Sequence, residues 1–467
     1  MNFMFVLGNI LIGLAVGALG GLAGASVLNG SAAHFALHGA MFGVLFGLLF
    51  AQRATSLGAG LMWGLSLAFL TWITVAAAAP ASDNMFFGAR VHFPELVFSL
   101  VCLALPVSLV LGVRVSRRSL AGERSFSWAR AVTAGGFAGI LASLIFSRWM
   151  YVGDFFPLVA GLELHARSMS VVLQFLMALL IGSTFGLLFQ HDVRSSGSSM
   201  GWGLGYGIFW WFLGQLTILP LLGGSRLDWS ADRAGQLFGS LVGHILYGLI
   251  LGVVYATVDR LWVRLMVESD PLNRVREGPG YRLLWGLQWG AVAGLTGALV
   301  SAPLMFATGV LPRTAGPGTA FSSALGLAVH LLIGAVLGMS YGLLFRDEAP
   351  TAGWGFLWGS VFGTIWWYLG PMTLLPLLLT GECDWSNDAA SQLLPSLLGH
   401  LVYGGVTALA FFAFERRRMR RLLADPRIAA ERARRVRPVG TAAPALWFWA
   451  VGLGALLPIL LGEAWGR

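Results

Sequence analysis

The sequence predicts an all-α, polytopic transmembrane bundle of about thirteen helices: three parallel four-helix repeats and a C-terminal helix. Three observations predict it. The 467 residues are 57% hydrophobic and only 11% charged, against about 25% charged in an average soluble domain, and the mean hydropathy is +0.76. Apolar runs of about 20 residues, each long enough to cross a hydrocarbon core about 30 Å thick as a helix, recur from one end to the other. The arginines gather in loops spaced four runs apart.

Taken in chain order, the apolar runs fall near 4-27, 34-51, 59-80, 95-113, 129-150, 169-190, 200-222, 236-258, 283-308, 320-345, 352-380, 392-414 and 443-462. The first lacks a basic n-region and stays apolar through Val27, longer than a signal-peptide core, so it reads as a retained helix. Thirty basic residues, every one an arginine, face 21 acidic ones for a net charge of +9. Five arginines follow the fourth run (Arg114, Arg117, Arg118, Arg124, Arg130), five follow the eighth (Arg260, Arg264, Arg274, Arg276, Arg282), and ten follow the twelfth, from Arg416 to Arg437. The positive-inside rule puts these loops in the cytoplasm, with the N-terminus inside and the C-terminus outside a bacterial inner membrane. The charge excess is therefore a topology signal, and no nucleic-acid partner is expected.

The same four-helix spacing is written in the sequence. Sliding residues 186-248 by 156 positions onto 342-404 gives 30 identities in 63 positions without a gap. Trp-Trp recurs at 210-211 and 366-367, Asp-Trp-Ser at 228-230 and 384-386, and Gly-His-x-x-Tyr-Gly at 243-248 and 399-404. A degenerate first copy is marked by Gly-Leu-Leu-Phe at 47-50 and lacks the last two words. The expected units are residues 1-118, 119-270 and 271-422, followed by a basic linker and final helix at 423-467. Units that all start and end inside are parallel repeats around an axis along the membrane normal, and the thirteenth span stands outside that plan.

Ser240, His244, Tyr247 and Gly248, matched by Ser396, His400, Tyr403 and Gly404, share one stripe of a helix. A histidine in such a stripe faces protein or water. One reading has Ser240, His244, Tyr247, Ser396, His400 and Tyr403 lining a shared cavity, with the histidines accepting protons, binding substrate or, as a further variant, serving as axial ligands to a non-covalent haem. The other has each imidazole bridging its own unit's helices. His330 has Gln174 as its partner 156 positions earlier and belongs less readily to a duplicated site. Thr217 and Thr373 stand three residues before Pro220 and Pro376, where each re-satisfies a ladder broken by proline. Asp228, Asp232, Asp384 and Asp388 in the outer loops suit helix capping and the positive helix end, with a cation site as the rival reading, while the tryptophan between them is expected to anchor the loop at the headgroups. Arg416, Arg417, Arg418, Arg420 and Arg421 form a cationic helix end suited to anionic lipids.

Two cysteines, Cys102 and Cys383, are too few for a disulfide framework or a zinc site. No carboxylate falls in the middle of a span, no Walker motif is possible without lysine, and no His-Glu-x-x-His motif occurs, so neither ATP-driven pumping, metalloproteolysis nor any other enzyme activity is expected. Ala134-Gly-Gly-Phe-Ala-Gly-Ile-Leu-Ala-Ser143, the Phe-Gly-Leu-Leu-Phe helix end, the Pro-Leu-Leu-Gly end of the next helix and Gly-His-Ile-Leu-Tyr, with Leu375-Pro-Leu-Leu378 and Gly399-His-Leu-Val402 in the third unit, together resemble the YagU-type family of uncharacterised bacterial inner-membrane proteins. The resemblance implies location and unit architecture, and carries no activity or catalytic residue. The functional expectation is a non-ATP-driven transporter or channel-like protein for a small solute; the alternative is a structural, assembly or haem- or quinone-holding anchor subunit of a larger membrane complex.

Overall fold

The computed structural model describes residues 3–28, 30–53, 56–78, 89–119, 127–152, 167–193, 195–266, 279–308, 320–346, 348–424 and 442–462. Among them no strand occurs, and the all-α expectation holds. We name the helices α1 (Phe3–Leu28), α2 (Ala32–Leu49) and α3 (Leu57–Ala78). Helix α4 runs from Phe93–Phe98 through a π-helical Ser99–Ala104 to Leu105–Ser119. Then come α5 (Trp128–Val152), α6 (Arg167–Phe189), and α7, which joins Ser196–Trp210, π-helical Trp211–Ile218 and Leu219–Leu222. A short α8 (Ala231–Gln236) leads into α9 (Phe238–Met266), followed by α10 (Pro279–Ala307) and α11 (Ala320–Leu344). Helix α12 joins Ala352–Leu369, π-helical Gly370–Leu374 and Leu375–Thr380; α13 is Asn387–Leu422; α14 joins Ala443–Leu446, π-helical Trp447–Leu453 and Gly454–Leu461. Among the described residues twelve helices are long and apolar enough to cross a membrane, while α6 contributes a shorter apolar stretch, Phe175–Phe189. The molecule is an integral, multi-pass membrane protein.

Helices in lipid gain little by hiding apolar surface from one another, so close packing depends on small residues at the contact. Glycine supplies them. A Cβ on Gly13 or Gly17 of α1 would overlap the carbonyls of Gly43 and Gly39 in α2. One on Gly135 or Gly139 of α5 would overlap Gly182 and Ala178 of α6, and one on Gly290 or Gly294 of α10 would overlap Gly338 and Gly334 of α11. The third and fourth helices of each group meet the same way: Gly203 and Gly207 of α7 lie on the carbonyls of Gly248 and His244 in α9, and Gly359 and Gly363 of α12 on those of Gly404 and His400 in α13. In the first group the partner of Gly64 is Ser108, whose Cβ is 2.9 Å from where a Cβ would stand.

The proline bends are π-helical. Thr217 Oγ1 donates to the Phe212 carbonyl at 3.0 Å and Thr373 Oγ1 to the Tyr368 carbonyl at 2.8 Å, each five residues back. The hydroxyls thus serve the wide turn itself and not the carbonyl freed by the proline, which at Leu216 is met by the Trp229 indole instead.

The last helix departs from expectation. Instead of standing apart from the four-helix groups, α14 packs against the third helix of all three. Leu446 and Trp449 fill the space left by Gly201 and Gly205 of α7, where Met62 of α3 and Trp358 and Val361 of α12 also converge. Ser66 of α3 donates to the Ala445 carbonyl at 2.5 Å, Trp449 Nε1 to the Gly205 carbonyl at 2.8 Å, and the Tyr368 hydroxyl of α12 to the Gly454 carbonyl at 3.2 Å. A hydropathy scan does not distinguish an apolar helix surrounded by protein from one surrounded by lipid, which is why the sequence set it aside.

Candidate functional site

In α9 the Ser-x-x-x-His stripe is built on a tryptophan from the neighbouring helix. The wholly buried Trp211 of α7 donates through Nε1 to Ser240 Oγ at 3.0 Å and to the Leu237 carbonyl at 3.2 Å, and Ser240 Oγ in turn donates to Leu237 O at 2.7 Å. His244 Nδ1 lies 2.7 Å from the Ser240 carbonyl. A carbonyl only accepts, so Nδ1 carries the proton, and in the neutral ring Nε2 keeps its lone pair. One turn on, the Tyr247 hydroxyl donates to the Ala178 carbonyl of α6 at 3.3 Å. Phe146 of α5 closes the cluster with its ring edge-on to both His244 (5.3 Å) and Tyr247 (5.7 Å).

The arrangement recurs 156 residues later. Trp367 Nε1 reaches Ser396 Oγ and the Leu393 carbonyl, both at 3.1 Å; Ser396 Oγ donates to Leu393 O at 2.6 Å; His400 Nδ1 meets the Ser396 carbonyl at 2.8 Å; and Tyr403 donates to the Gly334 carbonyl of α11 at 2.7 Å. The surroundings are more polar than in the first copy. Where α5 offers Phe146, α10 offers Ser301, which is 3.4 Å from His330 Nε2, and that nitrogen is also 3.1 Å from the Ala298 carbonyl. His330 lies within electrostatic reach of His400.

The six candidates therefore gather as two clusters of three, and every hydrogen bond described for them stays within its own four-helix group. The bonds that tie third to fourth and fourth to second helix run through the serines and tyrosines, whereas each described imidazole bond stays on its own helix, so the imidazoles do not bridge helices as the second reading had them. The half-buried His244 and His400 have no described partner at Nε2.

The loops that carry Asp-Trp-Ser correct two details. The N-caps are Ser230 and Ser386, whose Oγ atoms accept from Arg233 N and Ala389 N at 3.2 Å each. Asp228 and Asp384 brace them by accepting from the Ser230 and Ser386 amides at 3.0 and 2.9 Å. Asp388 takes the first turn of α13, and Asp232 pairs with Arg90. No group of three or more metal-ligating side chains forms among the described residues. Trp229 and Trp385 are buried, so they do not anchor the loop at the headgroups. Trp229 Nε1 donates to the Leu216 carbonyl at 3.2 Å, the very acceptor that Pro220 leaves without its helical N–H. Trp385 Nε1 donates to Thr373 Oγ1 at 3.3 Å.

At the opposite end Arg416, Arg417, Arg420 and Arg421 are exposed along one side of α13. Arg418 differs from them: it pairs with Glu415 at 2.5 Å and lies 5.5 Å over the ring of Trp285. Arg124, Arg274, Arg276, the arginines from Arg427 to Arg437 and the expected boundary at 270/271 lie outside the described residues.

Sequence reasoning missed Arg90. Its Nη1 donates to the Gly462 and Leu460 carbonyls at 2.8 and 3.3 Å at the C-terminal end of α14, where orphan acceptors and the helix dipole favour a cation. Ser391 of α13 donates to the Pro458 carbonyl there at 2.8 Å. A single arginine carries no motif that flags this role.

No family model, no curated protein and no solved structure matches the chain.

Proposed function

We propose that the protein is a carrier or channel that moves a small solute across the bacterial cytoplasmic membrane without ATP, built from three parallel four-helix units braced by the final helix. The recurrence of the glycine contacts and of the Trp-Ser-His-Tyr bonding supports the repeated units, as does the resemblance to YagU-type proteins. The arginine distribution supports an inside N-terminus, an outside C-terminus and anionic lipid at the inner face.

One observation carries the transport reading. His244 and His400 each hold the Nδ1 proton on a backbone carbonyl and leave the Nε2 lone pair unused inside a membrane-crossing helix. Such a group is an acceptor for a proton or for a donor on a solute. The two histidine clusters each belong to their own unit, His244 with Trp211, Ser240, Tyr247 and Phe146 and His400 with Trp367, Ser396 and Tyr403, while α14 lies among the third helices. Flux of a solute panel into proteoliposomes tests this: His244→Ala and His400→Ala each lower flux at least tenfold, whereas His330→Ala has a smaller effect. Equal tolerance of all three changes in a protein that does conduct refutes the site.

A second reading has its own observation. The filled axis, with Trp449 and Leu446 wholly buried among three helices, suits a structural or assembly subunit, and the same two Nε2 lone pairs suit axial ligation of haem in a cofactor anchor. Visible absorbance of the purified protein and co-purifying subunits test that reading.

A further inference from the structure

At one end of the bundle the first and fourth helices of each group are joined by a polar contact, and the three joints differ in charge balance. Between α5 and α9, Arg130 Nε pairs with Asp259 Oδ1 at 3.0 Å, with both side chains more than four-fifths buried. Between α10 and α13, Trp285 Nε1 donates to Glu415 Oε2 at 3.2 Å, and Arg418 neutralises that carboxylate. Between α1 and α4 the joint is cationic only. Arg114 of α4 lies across Gly8 of α1, where a Cβ would stand 2.6 Å from its Nη2, and over the ring of Phe5 at 5.4 Å. Its Nε is buried without a hydrogen bond, and no carboxylate pairs with it among the described residues. Asn9, the next residue, is fully buried with both amide atoms unpartnered, so it does not compensate the charge.

We propose that this joint binds the phosphate of an anionic phospholipid. A half-buried guanidinium without a counter-ion is costly at the edge of a bilayer, and its planar fork matches phosphate oxygens. The surroundings favour a lipid over free phosphate. Leu7 and Leu11 on α1 and Val110 and Val113 on α4 are exposed apolar side chains flanking the joint, which gives acyl chains a surface to follow toward the bilayer core. Gly8 is what lets the guanidinium lie flat across α1.

The test uses the full chain in detergent, with phosphatidylglycerol or phosphatidylcholine added at equal mole fraction and retained lipid read by native mass spectrometry. Wild type retains phosphatidylglycerol over phosphatidylcholine, and Arg114→Gln lowers that retention at least fivefold. Replacing Arg416, Arg417, Arg420 and Arg421 together by Gln leaves this tightly held fraction in place. Gly8→Ala displaces the guanidinium while keeping its charge and also lowers retention, which covers the case in which Arg114→Gln does not fold. Retention unchanged in Gly8→Ala or in folded Arg114→Gln overturns the proposal. So does displacement of the lipid by millimolar inorganic phosphate, since the site would then take the free anion.

Discussion

Replacing Trp449 probes the bracing role of α14 most directly. The indole is fully buried, its Nε1 donates to the Gly205 carbonyl at 2.8 Å, and its ring lies 6.0 Å from that of Phe212. Trp449→Ala removes the hydrogen bond, worth about 1 kcal/mol, and leaves a cavity of order 100 Å³ that at about 24 cal/mol per Å³ costs about 2.4 kcal/mol. The expected loss is about 3–4 kcal/mol. Trp449→Phe keeps most of the volume and should lose only about 1–1.5 kcal/mol. The assay is thermal or denaturant unfolding of the purified protein in a fixed detergent, with Leu378→Ala, at an 80% exposed position, as the control expected to stay within about 0.5 kcal/mol. If Trp449→Ala is as mild as Leu378→Ala, α14 is a peripheral helix and the axial packing argument fails.

Three further outcomes follow from the same geometry. Arg90→Gln strips two carbonyls at the end of α14 of their donor and should cost about 1–2 kcal/mol, whereas Asp232→Asn, at a partner 78% exposed, should change unfolding by less than about 0.5 kcal/mol; equal effects would locate the energy in the ion pair rather than the helix cap. Gly338→Ala drives a methyl into the backbones of Gly290 and Gly294 and should destabilise by about 1–3 kcal/mol, while Gly353→Ala, with open space around it, should be neutral or slightly stabilising, and the reverse order would contradict the helix contacts. Burial raises the pKa of the Cys383 thiol, whose Sγ also lies 3.4 Å from the Thr373 carbonyl; less of it is thiolate at neutral pH than in a free thiol, so alkylation by an impermeant maleimide should be slow near pH 7 and accelerate through the alkaline range. That labelling should occur from the outer side of intact cells stripped of outer membrane, and labelling only in inverted vesicles would reverse the proposed orientation.

Much of the architecture was legible because membranes simplify the code. A hydrocarbon core demands helices of a certain length, so the spans followed from apolar runs, and Pro220 and Pro376 announced bends, though not that the bends are π-helical. The candidate site was legible by residue type and not by arrangement. Serine, histidine and tyrosine at positions 240, 244 and 247 share a stripe by helical geometry alone, yet nothing in that spacing says that Trp211 holds Ser240, that the imidazole spends its Nδ1 proton on its own helix, or that Tyr247 reaches α6. The tryptophans of the Asp-Trp-Ser loops show the same limit. Trp229 looked like a headgroup anchor because indole suits an interface, but Pro220 leaves a carbonyl nearby that needs a donor.

By itself, then, the sequence determined an all-helical chain, roughly where each helix runs and which words recur 156 residues apart, since those follow from solvent and periodicity. Only the tertiary structure decided that the last helix lies among the third helices, that Arg90 closes its end, and that no carboxylate among the described residues pairs with Arg114 as one does at the corresponding joints. Each of those facts depends on which surfaces meet. Apolar side chains have the same hydropathy whether they face lipid or protein, and an arginine reads the same with or without a counter-ion beside it.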